Sequence, residues 1–267
     1  MDHKVWLIGG TSESATIAQT FAVYNLPFVV TVTTITAQSL YSDAEVVIGS
    51  MDMARMQSFC CDHKITAVVD ASHPYAVVVS RQAIAITAKL GIPYLRYERA
   101  NYQAATSAPL DSSLIELDSF DRLLTGDYLS KQRVLLTVGC QILPRFTSWH
   151  GESTLFARIL PKIASLETAL AAGFTSDRLI AIRPPISAAT ETALWQQWKI
   201  SLVVTKASGK AGGEDVKRHV AANLGIPLIV VTRPQIVYPQ QTSALPEIIA
   251  FCRATVNQQP STKPDLL

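Results

Sequence analysis

Apolar residues in the first hundred positions fall in short runs, and each run is hydrophobic on both faces of an extended chain. They lie at Val5–Ile8, Phe28–Thr33, Glu45–Ile48, Thr66–Asp70 and Pro93–Tyr97. Between them, apolar positions recur every three to four residues over Ser12–Tyr24, Asp52–Asp62 and Tyr75–Leu90, the spacing of amphipathic helices. Strands apolar on both faces that alternate with helices predict a parallel sheet covered on two sides. A polar stretch, NYQAATSAPLDSS at 101–113, breaks the rhythm. It resumes with strand-like runs at 133–139, 154–160, 178–184, 201–207 and 227–233, and with helical spacing over Leu166–Ala172, Thr190–Lys199 and Glu214–Leu224.

The pattern predicts an α/β protein of two Rossmann-like, doubly wound parallel-sheet domains facing a central cleft. The expected division is 1–105 for a dinucleotide-binding domain and 112–256 for a substrate domain. A polar, proline-containing tail at 257–267 is expected to fray. The halves also share a local pattern. Residues 67–99 and 202–234 each run strand, Ala-Ser turn, helix, Leu-Gly-Ile-Pro, strand. Glycine there accepts a left-handed helix cap and proline stops the helix. Ligands of such sheets sit beyond the carboxyl ends of the strands, so chemistry is sought in those turns.

Composition narrows the partners. The chain has 267 residues, 48% of them hydrophobic and 16% charged, with a formal net charge of +2. That balance gives no basis for a nucleic-acid surface, and no apolar run approaches the roughly 18 residues of a membrane span. The opening MDHKVWLIGG enters a strand without a basic segment or an apolar leader, which predicts a cytoplasmic protein. Cys60, Cys61, Cys140 and Cys252 form no zinc-like pair, so they read as reduced structural thiols and no metal is expected. A small anionic ligand fits best.

Three turns carry the candidate chemistry. In GGTSES, Gly9 and Gly10 allow close backbone approach, Thr11, Ser12 and Ser14 supply hydroxyls, and a helix N-terminus follows, a combination suited to phosphate. The spacing is not the GxGxxG fingerprint, and a tight turn with a Thr or Ser cap accounts for the same letters. Glu13 is awkward beside phosphate and reads instead as a partner for a ribose or a neighbouring basic group. The second strand ends at Thr33, Thr34 and Thr36 with no acid for a ribose hydroxyl, which favours NADPH over NADH.

DASHPYA, at 70–76, places Ser72, His73, Pro74 and Tyr75 at a strand end. His73 could donate a proton, and Tyr75 could stack or donate a hydrogen bond. The plainer reading has Pro74 in a first helical turn capped by Ser72. TKASGKAGG, at 205–213, adds Lys206, Ser208, Gly209 and Lys210 in a glycine-rich loop whose backbone donors suit carboxylate or phosphate, unless it is a mobile surface loop. No Tyr-x-x-x-Lys pair follows Tyr75, because position 79 is Val. Trp6, Trp149, Trp195 and Trp198 fall outside the predicted strand-end turns and read as packing.

IGGTSES, DASHPYA, LTVGCQILPRF at 136–146, ARILP at 157–161 and VVTKASGKAGG with LGIPLIVVTRP, taken in order over Val5 to Pro234, resemble the precorrin-6A reductases of vitamin B12 synthesis, including the cobalt-precorrin-6A enzymes. The resemblance implies NADPH-dependent reduction of one carbon-carbon double bond of a tetrapyrrole to the 6B form. It places Gly9, Gly10, Thr11, Ser12 and Ser14 at the cofactor, to which the strand-end reading adds Thr33 and Thr34, with Ser72 beside them in the cleft. His73, Pro74, Tyr75, Lys206, Ser208, Gly209 and Lys210 fall at the substrate. The family's first loop often continues into a small residue and then arginine, where this chain has Ser14 and Ala15. A substrate rich in acetates and propionates also directs attention to Arg81, Arg96, Arg183 and Lys217. A tetrapyrrole synthase or lyase without dinucleotide, and a non-catalytic dinucleotide sensor, are the alternatives. Neither oligomeric state nor the presence of cobalt in the ring is legible.

Overall fold

The computed structural model describes residues 3–42, 44–99 and 114–257. The polar stretch at 101–113 and the tail beyond Asn257 lie outside them. Two compact units result, one of Met1–Arg99 with Gln235–Leu267 and the other of Ala100–Pro234.

In the first unit the order is β1 (Lys4–Ile8), α1 (Ser12–Val23), β2 (Phe28–Val32), the short α2 (Ile35–Gln38), β3 (Val46–Ile48), α3 (Met53–Asp62), β4 (Ile65–Asp70), α4 (Val77–Leu90) and β5 (Tyr94–Tyr97). The second unit holds β6 (Leu114–Leu117), α5 (Phe120–Thr125), β7 (Arg133–Thr137), β8 (Thr154–Ile159), α6 (Ile163–Ala171), β9 (Leu179–Ala181), α7 (Ala188–Gln197), β10 (Leu202–Lys206), α8 (Glu214–Leu224) and β11 (Leu228–Val231). The chain then supplies β12 (Gln241–Thr242) and α9 (Leu245–Asn257) to the first unit.

Both sheets are wholly parallel, ordered β12-β5-β4-β1-β2-β3 and β6-β11-β10-β7-β8-β9. The alternation within β1 shows why. Val5 and Leu7 pack with Ile17 and Phe21 of α1 and Ile248 and Cys252 of α9, while Trp6 and Ile8 pack with Met56 and Phe59 of α3 and Ile86 of α4. A strand with apolar residues on both faces is stable only between two helical layers. In the second sheet Leu135 and Val203 face Trp195 and Val220 on one side, and Val134, Leu136 and Val204 face Leu143 and Phe146 on the other. The repeated Leu-Gly-Ile-Pro is helix punctuation in both units. Gly91 and Gly225 take φ of 67° and 64°, where an L side chain would be strained.

One expectation about the domains is corrected. Residues 235–256 were assigned to the second domain, but β12 pairs with β5 through Gln241↔Arg96 and Thr242↔Tyr97, and α9 buries Ile248 and Cys252 in the first core. No predicted strand or helix covered this segment, so chain order alone placed it. β6 and α5, short elements beside the polar stretch, were also missed. The predicted α4 start at Tyr75 moves to Val77, because residues 73–76 form a separate turn closed by the Ala76 N–H donating to the His73 carbonyl at 2.7 Å. Among the described residues, no helix is long and apolar enough to cross a membrane.

Candidate functional site

In the first sheet the chain runs outward from β1 through α1 to β2 and on to β3, then returns through α3 to β4 on the other side of β1, so the strand order reverses beside β1. Register aligns the strand ends: Ile8 pairs with Thr31 and with Asp70, and Val32 with Ile48. The loops beyond these ends line an open groove of about 800 Å³. Its walls include Gly9, Gly10, Thr33, Ser72, His73 and Tyr75. This is where an open α/β sheet binds its ligand.

The Gly9–Gly10 turn on the groove is held by Tyr41, a residue the sequence pattern does not single out. Its hydroxyl accepts the Gly10 N–H at 2.7 Å and lies 2.6 Å from Ser14 Oγ. A Cβ on Gly9 would come within 2.4 Å of that hydroxyl and 2.9 Å of Val30 Cγ1, so Gly9 is required by Tyr41 and not by a ligand. Gly10 is different. Its φ is +106° and nothing lies within 4 Å of where its Cβ would be, which leaves the backbone open to the groove.

The hydroxyls divide likewise. Thr11 caps α1, its Oγ1 accepting the Ser14 N–H at 3.1 Å, and Ser14 Oγ accepts the Thr11 N–H at 3.0 Å. Ser14 is fully buried, and this reciprocal cap with Tyr41 uses its side chain, so the expected contact between Ser14 and a dinucleotide is corrected. Ser12 is exposed and donates to Glu13 at 3.0 Å; Thr33 faces the groove, while Thr34 is exposed and does not line it. Glu13 takes the second of its anticipated roles. Arg99 Nη1 donates to it at 2.7 Å. Burial pushes the Glu13 carboxyl up, but its own backbone N–H, Arg99 and Ser12 outweigh that and hold it below the usual carboxylate range.

Beneath DASHPYA lies a buried polar network. Asp70, with no exposed surface, accepts the Ser72 N–H at 2.9 Å, Ser80 Oγ at 2.6 Å, Tyr94 Oη at 2.7 Å and Arg96 Nη1 at 2.9 Å. Arg96 also donates to Ser72 Oγ at 3.0 Å and to Glu98 at 2.9 Å. Two expectations change here. Ser72 anchors the turn to Arg96 instead of capping α4, and Arg96 is 1% exposed and committed to carboxylates of its own unit. His73, exposed on the groove, accepts the Tyr75 N–H on Nδ1 at 3.3 Å, so a neutral His73 carries its proton on Nε2. Pro74 is buried under the same turn, on the side of a small cavity lined by Glu13, Arg96 and Arg99.

The matching turn in the second unit is closed on itself. Gly209 is buried and its N–H donates to Glu214 at 2.8 Å, while the Gly212 and Gly213 N–H groups go to the Gly209 and Lys210 carbonyls. Ser208 packs so tightly on Gly212 that a Cβ there would fall 2.0 Å from its hydroxyl. The expected loop of available backbone donors is therefore corrected: an internal carboxylate takes the donor a phosphate would use. Lys206 lies 5.8 Å from the Phe120 ring centroid, and burial pushes its ammonium down against a smaller upward pull from Cys140. Lys210 is exposed at the mouth of a cavity of about 140 Å³. Arg81 and Arg183 are exposed. Trp6 and Trp195 are fully buried, donating to Thr31 at 2.8 Å and to Glu191 at 3.0 Å, as packing residues should.

Comparison with known proteins settles the family, because the model described as "Precorrin-6x reductase CbiJ/CobK" matches residues 4–253. The chain belongs to the precorrin-6x reductase family. Its activity is that of a precorrin-6A reductase in cobalamin biosynthesis, an oxidoreductase activity. The reductase is 43% identical to a cobalt-precorrin-6A reductase of Synechocystis sp., over 93% of this chain and 95% of the relative. It is 32% identical to the cobalt-precorrin-6A reductase of Priestia megaterium, over 95% and 98%. The solved structure of CobK precorrin-6A reductase superposes with a TM-score of 0.77 at 21% identity, covering 95% of this chain and 97% of that one, which bears out the two-sheet fold.

Proposed function

We propose that this reductase uses NADPH to reduce one carbon-carbon double bond of cobalt-precorrin-6A, with the dinucleotide in the groove at the carboxyl ends of β1 to β4. The observation that carries the reading is the open face of Gly10 at a strand-order reversal, in a groove whose β2 edge offers Thr33 and no carboxylate. A ribose 2′-phosphate meets no like charge from that edge, whereas an NAD site normally carries an acid there. The lining suits the group, since Gly10 leaves room for close approach and the hydroxyl residues Thr33 and Ser72 line a groove of dinucleotide scale. Bound NADPH would supply the hydride, leaving a proton to be delivered to the second carbon. His73 and Tyr75 line the same groove, and the Nε2 proton of His73 makes it the donor we favour. Lys206, a half-buried ammonium at the end of β10, would meet an acidic arm of the substrate. The cobalt form is chosen because the relatives at 43% and 32% identity are named for it.

Thr33→Asp tests the cofactor. A carboxylate at the β2 edge should weaken NADPH relative to NADH by about tenfold or more, from repulsion of about 1–2 kcal/mol at a partly exposed site. The assay is a nicotinamide-fluorescence titration with both nucleotides. An unchanged ratio, or failure of the unsubstituted protein to bind either nucleotide, removes NADPH from the groove.

A further inference from the structure

The second unit holds a buried cation that neither the fold nor the cofactor groove explains. Lys217, on α8, is 2% exposed. An ammonium has three donors; this one gives two, to the Gly212 carbonyl at 2.7 Å and the Gly213 carbonyl at 2.9 Å, and forms no ion pair among the described residues. Lys217 lines the cavity of about 140 Å³, room for about four or five waters. Arg158 of β8 lines it as well, one of its five donors engaged by Glu191.

Two of the three carboxylates nearby, Glu191 and Glu214, are engaged by other donors. Glu191 accepts from Arg158 and Trp195, and Glu214 accepts from Gly209 and Arg218. The lining brings three cations, Arg158, Lys210 and Lys217, against two carboxylates, Glu191 and Asp215. A buried ammonium that no carboxylate contacts directly among the described residues is costly unless a partner arrives.

We propose that this cavity is the seat of a carboxylate gripped by Lys217 and Arg158, and that in the working enzyme the carboxylate is an acidic side arm of the tetrapyrrole. The identity of the arm rests on the tetrapyrrole reading; the cavity and its cations do not. Burial and the Arg158 charge push Lys217 down to about 8, against smaller upward pulls from Glu191, Glu214 and Asp215. Those residues, with Lys210 at the cavity mouth, are the charged groups that face it. A carboxylate on the third donor would draw the ammonium back to its charged form, so binding above pH 8 takes up a proton.

The test is calorimetric titration of the full-length protein at pH 8.5 in two buffers of different ionisation enthalpy, with acetate and with uroporphyrin, a stable tetrapyrrole polycarboxylic acid. The unsubstituted protein should take up about half a proton or more with each, given a lysine near 8. Lys217→Arg should keep uroporphyrin affinity within about threefold but take up none, because arginine does not titrate there. Lys217→Met should lose about tenfold or more in uroporphyrin affinity, as for a lost charged hydrogen bond, with NADPH binding unchanged as a check on folding. Uptake with acetate and no binding of uroporphyrin would leave the carboxylate seat standing and overturn its assignment to the tetrapyrrole. Uroporphyrin binding that moves no proton and ignores both substitutions would overturn the seat and leave the tetrapyrrole reading intact.

Discussion

Asp70→Ala should be among the most damaging single changes in the first unit. It removes the acceptor for four donors, at 2.6 to 2.9 Å, from a site with no solvent. Breaking a buried ion pair by deleting one partner costs about 3–5 kcal/mol. Arg96 keeps Glu98 on Nε at 2.9 Å, so part of its charge stays compensated and the lower end, about 3 kcal/mol, is expected. Asp70→Asn should cost less, about 1.5–3 kcal/mol. Its Oδ1 can still accept from Ser72 and Arg96, while the Ser80 and Tyr94 hydroxyls can turn to accept from the new amide. Because two units with separate cores need not unfold together, the measurement is hydrogen-exchange mass spectrometry of β4 and α4 peptides under urea, not a single melting curve. Arg96→Met completes a double-mutant cycle, and the Asp70→Ala/Arg96→Met pair should fall short of additivity by about 1–3 kcal/mol. An Asp70→Ala cost below about 1 kcal/mol, or additivity within about 0.5 kcal/mol, would refute the network as the support of the Ser72–Tyr75 turn.

Tyr41→Phe leaves the Gly10 N–H without its acceptor and should cost about 1–3 kcal/mol in urea unfolding of the first unit. Gly9→Ala drives a methyl into the same hydroxyl and should cost about as much; a neutral result for both would show that Tyr41 does not shape the turn. Lys217 sets a pH signature for the second unit. Its folded value, about 8, lies below the ordinary 10.5, so between these the unfolded chain binds more protons and stability rises with pH. Lys217→Met should abolish that rise, worth about 3 kcal/mol at most, in urea titrations between pH 7.5 and 10; a parallel rise in the variant would assign it elsewhere.

The cofactor turn shows where sequence reading stops. GGTSES reads as a strand-to-helix turn with a cap or as a phosphate loop, and the letters serve both. The structure divides them residue by residue: Thr11 and Ser14 cap, Gly9 admits Tyr41, and Gly10 and Ser12 face outward. What separates them is the Tyr41 hydroxyl, which arrives from about thirty residues downstream. No spacing rule announces it. Glu13 was legible as a misfit beside phosphate, yet its partner Arg99 lies 86 positions away. In the second unit Glu214 opens α8 as an ordinary first-turn acid would, and only folding brings it onto the Gly209 N–H.

The sequence by itself determined the class of fold, the regular strands and helices that flank the turns, and the positions of those turns. These follow from local rules: strands apolar on both faces demand helical layers, and glycine with proline ends a helix wherever it occurs. Only the tertiary structure decided which donors in the turns remain available, which cations are already neutralised, and that the last helix closes the first unit instead of the second. Those outcomes depend on groups far apart in the chain meeting at one point. Arg96 and Lys217 are alike as buried cations, but Asp70 and Glu98 reach the one, and among the described residues no carboxylate forms an ion pair with the other.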